Sequence, residues 1–277
     1  PKPAPPRPLL DLPLRPVTGH DPLEGISANG TIVTGASPHR MAPAFKPVIL
    51  SAVERVSALS GRHSLYVYGS VATGTARVGP SDVDLLTVGL SPATAAHIGQ
   101  DLSAEYAHLC RGVDIGPAQW SDYEGPGDEA HGNRVFLRHY LVHLAGPDVG
   151  LGLPDFAADA AAARGFNGDI GLCADRWRIE VLRDPCPSSL GRRVARKTLL
   201  AIAGLVSVHD ATWTTDRLAA AWRWGQLRPA LAASLRQLVA WSEAGPSAPT
   251  PSEVLIALDG LVADVVDEFR QHIGLCR

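Results

Sequence analysis

Two aspartates separated by one residue, Asp82 and Asp84, stand in the run Gly79-Pro80-Ser81-Asp82-Val83-Asp84-Leu85-Leu86. In an extended strand alternate side chains share a face, so both carboxylates project from the same side. Neighbouring carboxylates repel, and a divalent cation between them removes that cost. Upstream, Leu65-Tyr66-Val67-Tyr68 enters a Gly69-Ser70 corner, whose backbone N–H groups and hydroxyl can face an anion. A cation-holding pair beside an anion-holding corner is equipment for nucleotidyl transfer, in which a hydroxyl attacks the α-phosphorus of a nucleoside triphosphate and pyrophosphate leaves.

Gly69-Ser70, then eleven residues, then Asp82-Val83-Asp84 resembles the minimal nucleotidyltransferase family of the DNA polymerase β superfamily. Its antibiotic-modifying, aminoglycoside-adenylyltransferase-like members are the nearest in appearance. The resemblance implies an enzyme that moves a nucleoside monophosphate, usually AMP from ATP, onto a hydroxyl with Mg²⁺. Family members use a third carboxylate on the neighbouring strand as metal ligand or as proton acceptor. Here the candidate is Asp114, in Arg111-Gly112-Val113-Asp114-Ile115. Asp82, Asp84 and Asp114 are thus the expected catalytic and metal-holding residues, and Gly69 and Ser70 the expected contacts to the β and γ phosphates. Relatives also supply basic residues from a helix pair to the triphosphate, but residues 198–216 hold no Lys or Arg. Arg193, Arg196 and Lys197, at helical spacing on one face, are the substitute candidates for cofactor binding. A solvated basic face is the plain alternative for them.

The resemblance implies that the acceptor lies between two domains and is a small molecule of the aminoglycoside type. A cationic acceptor would suit Asp122, Glu124, Asp128 and Glu129, which also read as a solvated acidic loop. Two other readings are a protein or tRNA acceptor, as in antitoxin-type relatives, and a catalytically degenerate nucleotide-binding or interaction module.

The elements that must position these groups alternate. Val48, Ile49, Ala52, Val53, Val56 and Leu59 recur at helical spacing. A strand precedes the corner, a short helix starts near Ser70, and a second strand spans about Val83 to Val88. Ser91-Pro92 opens a helix, Ser as cap and Pro in the first turn, and a third strand begins at Val113. Strand, helix, strand, helix, strand is an α/β unit, and the resemblance implies a mixed sheet. The segment from Val135 to Leu144 reads as a helix ending at Gly146-Pro147. Leu141 to Leu151 looks like the apolar helix that links the domains in the relatives.

Beyond about residue 150 every periodic segment reads as helical. Thr250-Pro251-Ser252-Glu253 is a capping box, and Val254, Leu255, Leu258, Leu261, Val262, Val265 and Phe269 follow on one face. The expected organisation is an arm and irregular lead-in over 1–43, an α/β domain over 44–150 and an all-α bundle over 151–277. Eight prolines within residues 1–22 predict an extended arm.

Composition sets outer bounds. Apolar residues make up 45% and charged residues 19%, an ordinary globular balance. With 25 basic against 28 acidic residues the net charge is −3, which argues against a protein that coats nucleic acid. Cys110, Cys173, Cys186 and Cys276 lack metal-ligand spacing and read as reduced thiols. His63, His131, His139 and His143 likewise have no ligand spacing, and Trp213, Trp222 and Trp224 read as core. No apolar run is long enough to span a membrane and no signal peptide is apparent, so a cytoplasmic location is expected.

Overall fold

The structure is a computed structural model that describes residues 21–183, 188–243 and 249–276. The expected proline-rich arm falls almost wholly on residues 1–20, outside the described residues, as do Cys186 and most of the Gly245–Thr250 loop. The chain divides into two compact units between Ala157 and Ala158.

The first unit is built on a four-stranded sheet. Its strands are β3 (Ser64–Tyr68), β4 (Val83–Val88), β5 (Val113–Ala118) and β6 (Val142–Ala145), in the order β5-β4-β3-β6. A small antiparallel pair, β1 (Gly25–Ile26) and β2 (Ile32–Val33), precedes them in the lead-in, β2 falling where a short strand was expected over Thr31–Thr34. It joins the same unit, because Ile32 N donates to Phe156 O. β4 and β5 are parallel and the other pairings in the sheet are antiparallel, so the sheet is mixed.

Alternation along the strands assigns the faces. Leu65, Val67, Val83, Leu85, Val113 and Ile115 form one buried face. It packs on α1 (Lys46–Ser57), through Val48, Ile49, Ala52 and Val56, and on α3 (Pro92–Glu105), through Ala95, Ile98 and Leu102. Ser91 Oγ accepts from Thr94 N and Pro92 occupies the first turn of α3, as the sequence predicts. α3 is the crossover that lets β5 return parallel to β4. The opposite face carries Tyr66, Leu86, Val88 and Ala118, packed with Leu137 and Tyr123. Tyr68, Asp84 and Asp114 share the parity of this second face.

One element differs from expectation. The helix α4 (Asp128–Tyr140) stops at Leu141, whose φ of −100° and ψ of 140° are extended, and Val142–Ala145 forms β6. Leu141 and Val142 enter the clusters on opposite faces of the sheet, a two-residue period that no helix offers. The free edge of β3 takes this segment as its partner, with Tyr66 opposite His143. Gly146 then turns the chain at φ +78°, where a Cβ would lie 1.9 Å from His63 O. The resemblance to an apolar linking helix over Leu141 to Leu151 therefore does not hold.

The second unit is helical: α5 (Ala160–Asn167), α6 (Ile170–Arg183), α7 (Ser188–His209), α8 (Arg217–Leu227), α9 (Ala232–Ser242), α10 (Pro251–Ala257) and α11 (Ala263–His272). α7 is its centre, burying Val194, Leu199, Ile202, Ala203, Leu205 and Val206. α8 is capped by Asp216, which accepts from Leu218 N and Ala219 N. Both halves of the Thr250–Glu253 capping box are made. Apart from the half-buried Leu255, the apolar face from Val254 to Phe269 is buried as expected, but Gly260, at φ −105° and ψ −107°, breaks the helix between α10 and α11. Among the described residues no helix is long and apolar enough to cross a membrane.

Candidate active site

The site forms where β4 and β5 begin. Their parallel register sets Val83 against Val113 and Asp84 against Asp114. Strands so paired lie ~4.8 Å apart, so the carboxylates of Asp84 and Asp114 rise side by side from one face. β3 arrives antiparallel on the other flank and pairs Tyr68 with Asp84. The chain then bends at Gly69 into the short helix α2 (Gly69–Thr73). Gly69 has a φ of +67°, and a Cβ there would stand 2.6 Å from Asp84 Oδ2. Only glycine allows both the left-handed backbone and the close approach of the carboxylate. The bend and Asp84 are therefore in contact, and Ser70 follows in the first turn.

The electrostatics of Asp84 follow from this packing. Burial, and then the charges of Asp82 and Asp114, push its carboxyl up to about 6, against a smaller opposing effect of Arg111. Tyr68 is pushed up to about 12, first by burial and then by Asp84 and Asp114, so it stays a neutral phenol near both acids. Its ring meets Phe136 edge-on at 5.3 Å between centroids.

Asp82 is engaged elsewhere. Arg111 Nε donates to Asp82 Oδ1 at 2.8 Å, and Arg111 Nη2 donates to Oδ2. Backbone bonds fix the pair, with Arg111 N donating to Ser81 O at 3.0 Å and Val83 N to Gly112 O at 2.9 Å. Among the described residues no group of three or more His, Cys, Asp or Glu side chains is arranged to hold a metal. The three expected carboxylates thus share one corner of the sheet without closing a three-ligand cage. The donor set still fits Mg²⁺, a hard ion that takes one or two carboxylates and fills its octahedron with phosphate oxygens and water. The raised value at Asp84 marks negative charge that a divalent cation would relieve.

The basic candidates lie in the helical unit. Arg193, Arg196 and Lys197 line a cavity of about 530 Å³ together with Arg176, Trp177, Asp169 and Glu180. Arg193 is paired with Glu180, and Lys197 with Asp169 at 2.7 Å. Arg196 Nε donates only weakly, at 3.3 Å, to Ser242 O. The nearby Arg217 is pushed down by burial and then by the charge of Arg196. The cavity thus holds more positive than negative charge.

Other candidates serve local structure. Asp122 closes a capping box with Gln119, and Asp128 and Glu129 fall in the first turn of α4, where negative charge is favoured. Glu124 is exposed. His63 and His143 pair with backbone carbonyls, and His139 Nε2 accepts from Phe156 N. Trp213 and Trp224 are core. Sequence reasoning missed Arg111 and Tyr68. Arg111 lies next to the Gly112-Val113-Asp114 run, and Tyr68 directly precedes the corner, so adjacency was the available signal.

Residues 50–150 match the family model of the nucleotidyltransferase domain. This segment is a nucleotidyltransferase domain. It spans most of α1 through β6 and contains Gly69, Ser70, Asp82, Asp84, Arg111 and Asp114. No curated protein matches the chain. Among solved structures the chain is similar to spectinomycin adenyltransferase AAD(9) from Enterococcus faecialis, determined with ATP and spectinomycin. The likeness covers 81% of this chain and 99% of that one at 10% identity, with a TM-score of 0.52. At that identity it is a likeness of fold, and it extends beyond the nucleotidyltransferase domain into the helical part.

Proposed function

We propose that the protein transfers a nucleoside monophosphate, AMP from ATP in the first instance, to a hydroxyl of a small molecule of the aminoglycoside type. The observation that carries this reading is the in-register pair Asp84 and Asp114, set against the Gly69 bend inside the nucleotidyltransferase domain. The similarity in fold to an adenyltransferase solved with ATP and spectinomycin supports the nucleotide and the acceptor class.

Asp84 and Asp82 would hold Mg²⁺, which supplies charge neutralisation at the phosphates. Gly69 and Ser70 orient the β and γ phosphates through backbone N–H and hydroxyl. Asp114, exposed at the mouth of the pair, accepts the proton of the attacking hydroxyl. The acceptor oxygen bonds to the α-phosphorus, the bond from the α-phosphorus to the bridging oxygen breaks, and pyrophosphate carries that electron pair away. Tyr68 stays a neutral phenol beside the acids. The cavity at Arg196 and Lys197 is suited to polyphosphate, with Arg193 and Arg176 adding charge at its edge.

The test is transfer from ATP labelled at the α-phosphorus, across a panel of aminoglycosides, tRNA and proteins, with Asp84→Asn as the blank. Label on a small molecule, dependent on Asp84, is the expected result. Label only on tRNA or protein moves the acceptor class. No label, together with no ATP binding by calorimetry, removes the enzymatic reading.

A further inference from the structure

The ion pair between Arg111 and Asp82 stands where the proposed reaction needs a ligand oxygen. The guanidinium uses both Nε and Nη2, one on each carboxylate oxygen, the fork geometry that only arginine offers. A divalent cation bound to the same carboxylate would face a second positive group a few ångströms away, and the repulsion favours one occupant at a time. The exchange is easy on the arginine side. Its side chain is 68% exposed, against 30% for Asp82. Its backbone is anchored independently, through Arg111 N to Ser81 O at 3.0 Å. The long side chain can therefore leave Asp82 without moving β5.

We propose that Arg111 competes with a divalent cation for Asp82, so that the cation enters by exchange with a guanidinium and not into an open carboxylate cage. Arg111 is then a positioning residue: it keeps Asp82 aimed and neutralised until the cation takes over. This inference rests on the reading of Asp82 and Asp84 as metal-holding residues.

The experiment is Mn²⁺ binding without nucleotide, read from the electron paramagnetic resonance signal of the unbound ion. Wild type, Arg111→Ala, Arg111→Lys, Asp82→Asn and the Asp82→Asn/Arg111→Ala double variant are compared. Exposed pairs are weak, so Arg111→Ala is expected to bind Mn²⁺ about two- to five-fold more tightly than wild type. Arg111→Lys should fall between, because a single ammonium cannot occupy both oxygens. In the Asp82→Asn background the gain should vanish. Three results overturn the proposal: weaker binding in Arg111→Ala, which would make Arg111 a support for a bound ligand; unchanged binding; or an equal gain with Asp82→Asn, which would mean a general field effect. Failure of the underlying reading looks different, as wild type would bind no Mn²⁺ and Asp84→Asn would change nothing.

Discussion

Replacing Asp84 by Asn should stabilise the α/β unit while ending transfer. The folded-state carboxyl of Asp84 titrates at about 6, against 3.8 for the free group, chiefly because it is buried. That difference of roughly two units corresponds to about 3 kcal/mol at neutral pH, at about 1.4 kcal/mol per unit. Because the folded value lies above the unfolded one, the folded chain holds the extra proton in between. The stability linked to that proton is fully present below the unfolded value and is lost as pH rises through about 6. Wild type and Asp84→Asn should therefore be nearly equal at low pH, where both side chains are neutral. By pH 7 the variant should be ahead by about 2–3 kcal/mol, or several degrees in melting temperature. Two compact units need not melt together, so the readout must belong to the α/β unit. Trp120 is the single tryptophan of residues 21–157, and 5-fluorotryptophan labelling makes its fluorine resonance a local reporter of urea unfolding. The measurement runs from pH 4 to pH 8 in EDTA. A variant less stable than wild type at pH 7, or a gap that narrows as pH rises, would refute the account of Asp84 as an uncompensated buried charge.

Three further outcomes follow from the same geometry. Asp114→Asn should lower the turnover rate by about 10²–10⁴-fold and leave the KM for the nucleotide nearly unchanged, as initial rates would show. Gly69→Ala places a Cβ 2.6 Å from Asp84 Oδ2 at a φ of +67°. It should cost about 1–2 kcal/mol in left-handed strain alone, weaken Mn²⁺ binding, and lower the unfolding midpoint at Trp120. Arg196→Ala should weaken binding of inorganic tripolyphosphate at the cavity of the helical unit about tenfold, measured by calorimetry.

How much of this was legible depended on range along the chain. Alternation located β3, β4 and β5, and the Ser91 cap and the Thr250 box were readable because their partners lie three residues away. That Asp114 stands on the strand beside Asp84 was readable with the help of the resemblance, but the register that sets the two directly opposite was not, since it depends on how far α3 carries the chain before β5 returns. The partner of Asp82 is 29 residues distant, and only its place next to the Gly112-Val113-Asp114 run sets Arg111 apart from any loop arginine. β6 was hidden for another reason. The helix α4 passes into strand at Leu141 without a glycine or proline, so its apolar residues and those of Val142–Leu144 read as one periodic run. Only the open edge of β3 separates them. The break at Gly260 was concealed in the same way, because the residues on either side of it keep an unbroken apolar face.

That the fold tolerates a charge it would be more stable without is a matter of relative size. Val83, Leu85, Val113 and Ile115, which alternate with the acids along β4 and β5, are all buried. Full burial of such side chains contributes about 1.5–3 kcal/mol each, or roughly 6–12 kcal/mol for the four on that scale. This exceeds the penalty of about 3 kcal/mol for ionised Asp84. The register is therefore dictated by the apolar face, and the carboxylates on the other face must follow it. A slip of one residue would carry the whole apolar set out of the core, so repulsion between Asp84 and Asp114 cannot be relieved by moving a strand. It can be relieved only by a proton, by a neighbouring cation such as Arg111, or by a metal ion, and the metal ion brings enough charge to serve both acids at once.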